Sequence, residues 1–592
     1  MRIAVLAKQI PHPSEMRLEN GQLVRDQVRL ETNSYCRRAN AQAVAMAGEQ
    51  GEVVVFTMGP PSAEQTVREM VARGATRGVL ISDPAFAGSD TLITARVLAR
   101  AIEREGEFDL VLTGEYSLDS ETGQVNAQLA ELLGLPFIGP CKTLHVVDGV
   151  AVAMVELDGG YADVAVLLPA VASAAERLCA PSKASPDECA AVPAARIGHR
   201  TAADLGFQPG EVGLAASPTQ VGTVLETAIG NGRAGARTAS AEEALRLLDA
   251  LPPAPGVDLS SSGGSAVPRA ADGRDVWYLA DPTSGPVDPD LLNAVRALAR
   301  RAGRRVVGVV GDDVGAVAGA VDGVLRFCGA NAPDDWVRPI CAKIERARPH
   351  CVIFDATNWG RELAARIAAR LGWGLVGDAV RFTVEDGAVV AWKAAFSGQA
   401  MVPISSSSPT LLATVRSGAL AGSPPPGDVP GRAPIETVLV ASVSKVIYSP
   451  TRDPDVDARE LGCARCVVVV GRGVDPGEYG ELDELRELLG AGPLAATRKV
   501  ADSGWLPRTR QIGITGRSLA PELVVSIGAN GGFNHSAGFV SAGRILAVNV
   551  DPDAKIFEVA DVGIVGDWRR VVRELCAALR DREVTALPAP RG

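Results

Sequence analysis

Short apolar runs alternate with longer amphipathic stretches through the first 250 residues. Residues 2–7 (RIAVLA), 52–59 (EVVVFTMG), 78–83 (GVLISD) and 109–114 (DLVLTG) are apolar, β-branched and of strand length. Between them, 39–49, 63–73 and 91–105 place apolar residues three and four apart, the period of a helix with one buried face. This alternation predicts a parallel, doubly wound α/β sheet. On such sheets ligands gather at the carboxyl ends of the strands, where the strand order reverses.

The pattern recurs. Residues 109–172 read as strand, polar loop, the helix AQLAELLGLP and then LHVVDGVAVAMVELDGGYADVAVLLPAV; residues 350–414 repeat that order. Asp148-Gly149 aligns with Asp386-Gly387, Gly159 with Gly398 and Pro169 with Pro409, a spacing of about 240 residues. The period is far too long for a solenoid and predicts two related α/β domains in tandem. Residues 196–252 are less regular and end on a helix with Ser240 as its N-cap. A stretch rich in Pro, Gly and Ser follows and reads as a linker. The final strands, 466–473 (CVVVVGRG), 523–532 (LVVSIGANGG), 545–551 (ILAVNVD) and 562–568 (VGIVGDW), each run into Gly, Asn or Asp. They predict a third, three-layer α/β domain with its polar strand ends along one edge. The expected parts are a domain 1–195, an arm 196–252, a linker 253–274, a domain 275–430 and a domain 431–592.

Composition narrows the class. Hydrophobic residues make up 47% and aromatics only 4%, so Ala, Val and Leu must fill the cores. A net charge of −11 argues against nucleic acid as partner, because phosphate binding needs a cationic face. Lys8 inside the short apolar stretch 1–10, and the lack of an uninterrupted run of spanning length, predict no signal peptide, no membrane insertion and a cytoplasmic protein. The ten scattered cysteines suit a reducing compartment. Cys463 and Cys466 could be a dithiol or half a metal site; the other reading is small apolar residues entering a strand. No second pair or nearby His accompanies them, so no metal is expected.

Four polar turns carry the candidate chemistry. GRG (471–473) lets a ligand approach the backbone, and Arg472 offers a fork of donors. TRKVADSG (497–504) sets Arg498 after a hydroxyl residue. QIGITGRSLAP (511–521) presents amides suited to an anion, and GANGGFNHSAG (528–538) contains His535. Any one of them reads as a surface turn; four at neighbouring strand ends predict a nucleotide pocket. No nucleophile–His–carboxylate order or HExxH is present. His12, His145, His199 and His350 are isolated, and Asp119, Glu121 and Asp158 read as a solvated loop. No catalytic side chain is expected, so the chemistry would belong to a cofactor.

The whole chain resembles an electron transfer flavoprotein whose beta and alpha subunits are joined, beta first. The beta-like marks are ETNSYCRRANAQAV (31–44), TMGP (57–60), GATRG (74–78), LDGG (157–160), LPAVASAAERL (168–178) and DLGFQPGEVGL (204–214). The alpha-like marks are GRG, QIGITGRSLAPELVVSIGANGGFNHSAG and AVNVDPDAKIFEVADVGIVGDW (547–568). The resemblance implies an extended FAD in the last domain. Arg472 corresponds to a residue near the diphosphate. Thr497 and Arg498 match a Ser-Arg pair at the isoalloxazine, where a guanidinium favours reduced, anionic flavin. Gly513, Ile514, Thr515, Gly516 and Arg517 fall in the family's Gln-Val-Gly-Gln-Thr-Gly-Lys run, with Thr515 at flavin N5 and Ile514 in place of its Gln. Asn530, Gly531, Gly532, Phe533 and Asn534 match Ser-Gly-Ala-Ile-Gln. His535 matches a donor near flavin O2, and Asn549 and Asp567 match residues at the adenosine end.

The resemblance also implies a second nucleotide, AMP or a second FAD, at Leu6, Ala7, Lys8, Asn33, Met58, Asp119, Glu121, Thr122, Gly123, Gln124 and Val125. The loop 118–131 has the length found in electron-bifurcating members, which hold a second FAD. It keeps Thr122, Gln124 and Val125 but has Gly123 for Ala and Asn126-Ala127 for Gly-Pro. Residues 179–196 lack the Leu and lysine-rich run by which members grip dehydrogenases; Pro186 falls near the Leu position. The expected role is an electron carrier from a flavin dehydrogenase to a quinone-linked oxidoreductase or other acceptor. The alternatives are an NADH-oxidising, bifurcating member and a redox-silent nucleotide-binding scaffold.

Overall fold

The opening strand forms at Arg2–Ala7, and its neighbours at Glu52–Met58, Arg77–Ile81 and Leu110–Gly114, each within two residues of the apolar runs that predict them. The computed structural model describes residues 1–12, 18–19, 22–23, 28–158, 160–222, 225–226, 235–251, 274–283, 287–315, 317–385, 388–395, 400–415, 433–450, 460–461, 464–513, 516–517, 519, 521–536, 538–539 and 542–581. Ile514, Thr515, Cys463, Gly159, the turn at 386–387, Gly398 and nearly all of the expected linker lie outside them.

The repeat read from the sequence is a repeat of topology. The first sheet runs in the order Ile197–Arg200, Arg77–Ile81, Glu52–Met58, Arg2–Ala7, Leu110–Gly114, Ala170–Ala174, Phe137–Val147, Val150–Leu157, Gly160–Leu167, Val446–Tyr448. The second follows the same path: Ile435–Val440, Gly323–Gly329, Val306–Val310, Val276–Leu279, Cys351–Asp355, Leu411–Val415, Leu375–Glu385, Ala388–Ala395, Ala400–Ser406, Thr219–Val221. In both, a parallel half grades into antiparallel strands joined by tight connections. The helix Val125–Leu133 of the first unit packs on Asn358–Leu371 of the second. One apolar core therefore spans both units, with Leu129 and Ala130 beside Trp336, Leu363 and Ile367. Arg366 is buried in that seam between Glu362 (2.8 Å) and Glu131 (3.3 Å).

The third unit is a parallel sheet ordered Ala236–Thr238, Val562–Val565, Arg544–Asn549, Leu523–Ile527, Cys466–Val470, Ala495–Ala496. Alternate side chains of Cys466–Val470 face two cores, as a strand covered on both sides requires. Val468 and Val470 meet Val571 and Leu575 of the helix Trp568–Asp581, while Val467 and Val469 meet Phe539 and Ile545.

The sheets exchange strands. The arm adds Ile197–Arg200 to the first sheet and Thr219–Val221 to the second. It then adds Ala236–Thr238 to the third and docks the helix Ala241–Ala250 there, with Leu245 and Leu248 in the core. Ser240 caps that helix by accepting from the Glu243 amide at 3.3 Å, as its sequence position predicts. In return, Val446–Tyr448 pairs antiparallel with Gly160–Leu167 of the first sheet. The expected boundaries at 195 and 431 therefore shift: 197–200 completes the first sheet, 435–440 the second and 446–448 the first again. Local hydrophobic pattern marks a strand but not its partner, so it does not show which sheet these edges join.

Cutting the chain between Leu251 and Arg274 should leave the halves associated. The two pieces should co-elute in gel filtration at physiological salt. Adding Leu245→Ala and Leu248→Ala, at about 2–5 kcal/mol each, should loosen the arm from the third unit and lower its melting temperature.

Candidate functional site

Three of the four polar turns singled out in the third unit lie at the carboxyl end of a parallel strand, and the fourth, 511–521, follows the short turn Arg508–Arg510. Arg472 follows Cys466–Val470, Thr497 follows Ala495–Ala496, and Asn530 to His535 follow Leu523–Ile527; Asn549 ends Arg544–Asn549, and Asp567 follows Val562–Val565. The chain runs from Cys466–Val470 outward to Ala495–Ala496, then crosses back to Leu523–Ile527 on the other flank. The turns after 470 and 527 thus flank the point where strand order reverses, the position at which such sheets bind ligands.

Those two turns touch. A Cβ on Gly471 would lie 2.2 Å from the Gly528 carbonyl oxygen and 2.4 Å from Ala529 Cα, and Gly528 itself has φ +63°. The glycine pair serves turn-on-turn packing, where the sequence suggested approach to a ligand. Arg472 between them is exposed and bonds to no described residue. A Cβ on Gly532 would meet nothing within 4 Å.

His535 is buried, 9% exposed, on the short helix Phe533–Ser536. Its Nδ1 lies 2.9 Å from the Ile512 carbonyl oxygen. A carbonyl only accepts, so Nδ1 carries the proton and Nε2 is bare in the neutral ring. Burial pulls the imidazole pKa down to about 4. Nε2 has no partner among the described residues, nor do Thr509 Oγ1 and Ser526 Oγ, also buried in this unit. Each unsatisfied buried polar atom costs about 1–3 kcal/mol, and a polar ligand would remove that cost. A flavin, with ring donors and acceptors, fits this lining. The neutral imidazole presents an acceptor; donation from Nε2 requires protonation, which a nearby negative charge favours.

The turn residues on this side also meet the first unit. Arg498 Nη2 lies 2.5 Å from Glu176, and its Nε 3.2 Å from Asp502. Thr497 starts the helix Arg498–Asp502 without capping it through its side chain. Arg517 donates to the carbonyls of Thr509 and Asp158, both at 2.9 Å. Asp158, exposed on its own turn, accepts from the Asn358 amide at 2.7 Å, so this acid sits at a junction of three units. Gly516 backs on Gln511, where a Cβ would lie 2.3 Å from its carbonyl oxygen, and Gly513 has φ +144°. Asn530 is exposed and its carbonyl accepts from Ile556; Gly531, φ +71°, packs on Ile556. Asn549 bonds the Ala529 carbonyl, and Asp567 accepts from the Arg569 and Arg570 amides at the start of the last helix. Only the backbone of Phe533 and Asn534 is described.

In the first unit, strand order reverses at Arg2–Ala7, whose Leu6 and Ala7 are core residues. Lys8 bonds Asp119 at 2.8 Å and Ser117 at 3.1 Å, and Asp119 is 1% exposed, not a solvated acid. Gln124 accepts from Thr91 and donates to the Leu375 carbonyl of the second unit; the Glu121 carbonyl accepts from Lys393. Thr122 and Gly123, φ +62°, complete the turn before Val125–Leu133. Met58 is half-buried. Asn33 donates to the Tyr116 carbonyl, while its Oδ1, like Thr57 Oγ1, is buried without a described partner.

Sequence reasoning missed Glu115, Arg38 and Glu176. Burial and Glu156 push the Glu115 carboxyl up to about 8, against the opposing pull of Arg508 and Arg361. Arg38 stands out only once its Ala-rich helix is seen to be buried. Cys466 is buried, its thiol pushed up to about 12 by desolvation. Among the described residues no cluster of His, Cys, Asp and Glu could hold a metal, and no helix is long and apolar enough to cross a membrane.

The electron transfer flavoprotein domain matches the chain twice, at 20–200 and 283–443, and the electron transfer flavoprotein FAD-binding domain matches 460–540. The alpha subunit of electron transfer flavoprotein from Mycobacterium leprae is 34% identical, covering 50% of this chain and 94% of that one. The Bacillus subtilis alpha subunit is 34% identical over 40% of this chain and 73% of its own. Subunit CarD of the caffeyl-CoA reductase-Etf complex from Acetobacterium woodii is 34% identical over 37% and 86%.

Two tests follow from the geometry. Because the folded His535 pKa lies below its ordinary 6.5, its contribution is present above pH 6.5 and is lost as pH falls to about 4. In ligand-free protein, His535→Asn should remove a pH-dependent part of stability worth up to about 3 kcal/mol, read by denaturant unfolding at pH 7 and pH 4. Gly471→Ala should destabilise the third unit by more than about 2 kcal/mol, whereas Gly532→Ala should leave its melting temperature within a degree or two.

Proposed function

The chain belongs to the electron transfer flavoprotein family, and we propose that it carries electrons through one FAD held at the carboxyl edge of the third sheet. The donor is a flavin dehydrogenase, and the acceptor is a quinone-linked oxidoreductase or another redox protein. One observation carries this reading: a buried neutral imidazole with a bare Nε2 beside polar turns at the switch point of a parallel sheet. The flavin supplies the redox chemistry when bound. Arg472 is free to meet its diphosphate. Arg498 is placed to set positive charge beside the ring, and His535 can take up a proton as negative charge accumulates there. Asn549 and Asp567 already hold the fold, so their role at the adenosine end would be carried by groups they position. The docked edge, with Arg498, Arg508 and Arg517 against the first unit, shields one side of the site and leaves the carrier to exchange electrons from the other.

A second nucleotide in the first unit is favoured by the unbonded Asn33 Oδ1 and Thr57 Oγ1 at its switch point. Lys8 is already neutralised by Asp119, so the site suits an adenine or ribose edge better than an extra phosphate. AMP there would accompany a simple carrier; a second FAD would accompany NADH-driven bifurcation.

Purified full-length protein, reconstituted with excess FAD and desalted, should retain one flavin per chain and show yellow absorbance. Two flavins with bleaching by NADH would select the bifurcating reading. Bound flavin that dithionite cannot reduce would select the redox-silent scaffold. Arg498→Ala should lower the flavin midpoint potential while leaving the stoichiometry at one.

A further inference from the structure

The helix Ser34–Ala47 of the first unit carries an arginine with no evident duty. Arg38 is 8% exposed. Its side chain makes one hydrogen bond among the described residues, from Nη1 to the Ser34 carbonyl at 3.3 Å, one turn back on its own helix, and its guanidinium lies 5.9 Å from the centre of the Tyr35 ring. Its Nε is buried without a partner, and no described carboxylate forms an ion pair with it. The Arg38 carbonyl accepts from Cys179 Sγ at 3.3 Å, three residues beyond Glu176; burial pulls the Arg38 pKa down, and Glu176 is the charge that most opposes that pull.

Glu176 is already engaged. It lies 2.5 Å from Arg498 and 3.9 Å from Arg508, both of the third unit. Arg508 also faces Glu156 at 3.8 Å, and Arg177 pairs with Asp502 at 2.5 Å. Four guanidiniums, of Arg38, Arg177, Arg498 and Arg508, thus meet three carboxylates, of Glu156, Glu176 and Asp502. Glu115 beside them is held up to about 8 by burial and is protonated at neutral pH. Tyr35 and Tyr116 hydrogen-bond each other at 2.8 Å and add no charge. Arg38 is the most buried of the four, and the one without a carboxylate within 4 Å among the described residues. A buried cation in that state is costly unless an anion reaches it.

We infer that Arg38 is a contact for reduced flavin, supplied by the first unit to the cofactor of the third. The junction it lines already contains Arg498, so the anion that completes it must be reachable from both units. Reduced flavin is flat and carries delocalised negative charge, which suits a guanidinium that can stack or donate in a fork. The oxidised ring is neutral. Arg38 therefore favours the reduced cofactor over the oxidised one and does so only while the two units are in contact.

This rests on FAD occupying the third unit, and the experiment separates the two. The full chain, loaded with FAD, is compared as wild type, Arg38→Leu, Arg38→Gln and Arg38→Lys. Oxidised FAD affinity is read by flavin fluorescence and the two-electron midpoint potential by spectroelectrochemistry. In Arg38→Leu and Arg38→Gln, reduced FAD should weaken about tenfold relative to oxidised FAD, a fall of about 30 mV for a two-electron couple. Arg38→Lys should recover much of the shift. Oxidised FAD affinity and the melting temperature should hold, since the variants remove an unpaired buried charge. An unchanged potential in a variant with stoichiometric FAD overturns the inference alone. Equal weakening of both redox states also overturns it and moves Arg38 to the diphosphate. Failure of the wild type to bind FAD overturns both readings. If Arg38→Leu does not fold, Arg38→Gln, which keeps the side chain polar, carries the same decision.

Discussion

Backbone pairing between the arm and three separate sheets is the constraint on which the molecule depends. Within residues 197–238 the chain supplies an edge strand to each unit in turn. The second half answers with 446–448 on the first sheet. Each added strand covers an edge whose amides and carbonyls would otherwise face water or another chain. It also fixes distance and angle between units more firmly than side-chain contacts could, because a strand register shifts only in whole residues. The seam of Val125–Leu133 against Asn358–Leu371 then has one geometry to pack, and a buried Arg366 between two glutamates can be tolerated within it.

That frame also sets what surrounds the proposed flavin site. The third sheet owes its outer strand to the arm, and its carboxyl edge turns toward the first unit through Arg498, Arg508 and Arg517. Charged groups from different units meet there at short range in a partly dry junction, where their interaction is stronger than on an open surface. The electrostatics of that edge are consequently shared between units. His535 belongs to the third unit alone, while Glu176, Glu156 and Glu115 bring the first unit's charge to the same region.

Much of this was legible in the residues. The apolar runs mark the central strands of the first and third sheets to within a few positions, and the repeat of Asp-Gly, Gly and Pro points to a second unit with the topology of the first. The matches at 20–200 and 283–443 agree with that reading. Three of the polar turns lie at strand ends, where glycine and asparagine commonly close strands of a parallel sheet. Strand exchange was not legible, since a run such as 446–448 looks the same whichever sheet it joins. Burial of Asp119 and the junction role of Asp158 were equally hidden, because a carboxylate in a loop has no local mark of its partner. Arg38 was hidden for the opposite reason: an arginine in a helix is ordinary until the helix is seen to have no solvent face there.

Strand exchange also sets an order of events during synthesis. The first sheet cannot close its Gly160–Leu167 edge until residue 446 has left the ribosome, almost three hundred residues later. Until then that edge is an open template, with Leu167 at its rim. Ala236–Thr238 likewise waits for Val562–Val565. Pairings so distant along the chain are slow to form and leave intermediates prone to stick to one another. Joining the two halves in one polypeptide keeps each waiting edge beside its own partner, so the nascent chain searches a small volume near itself and not the surrounding solution.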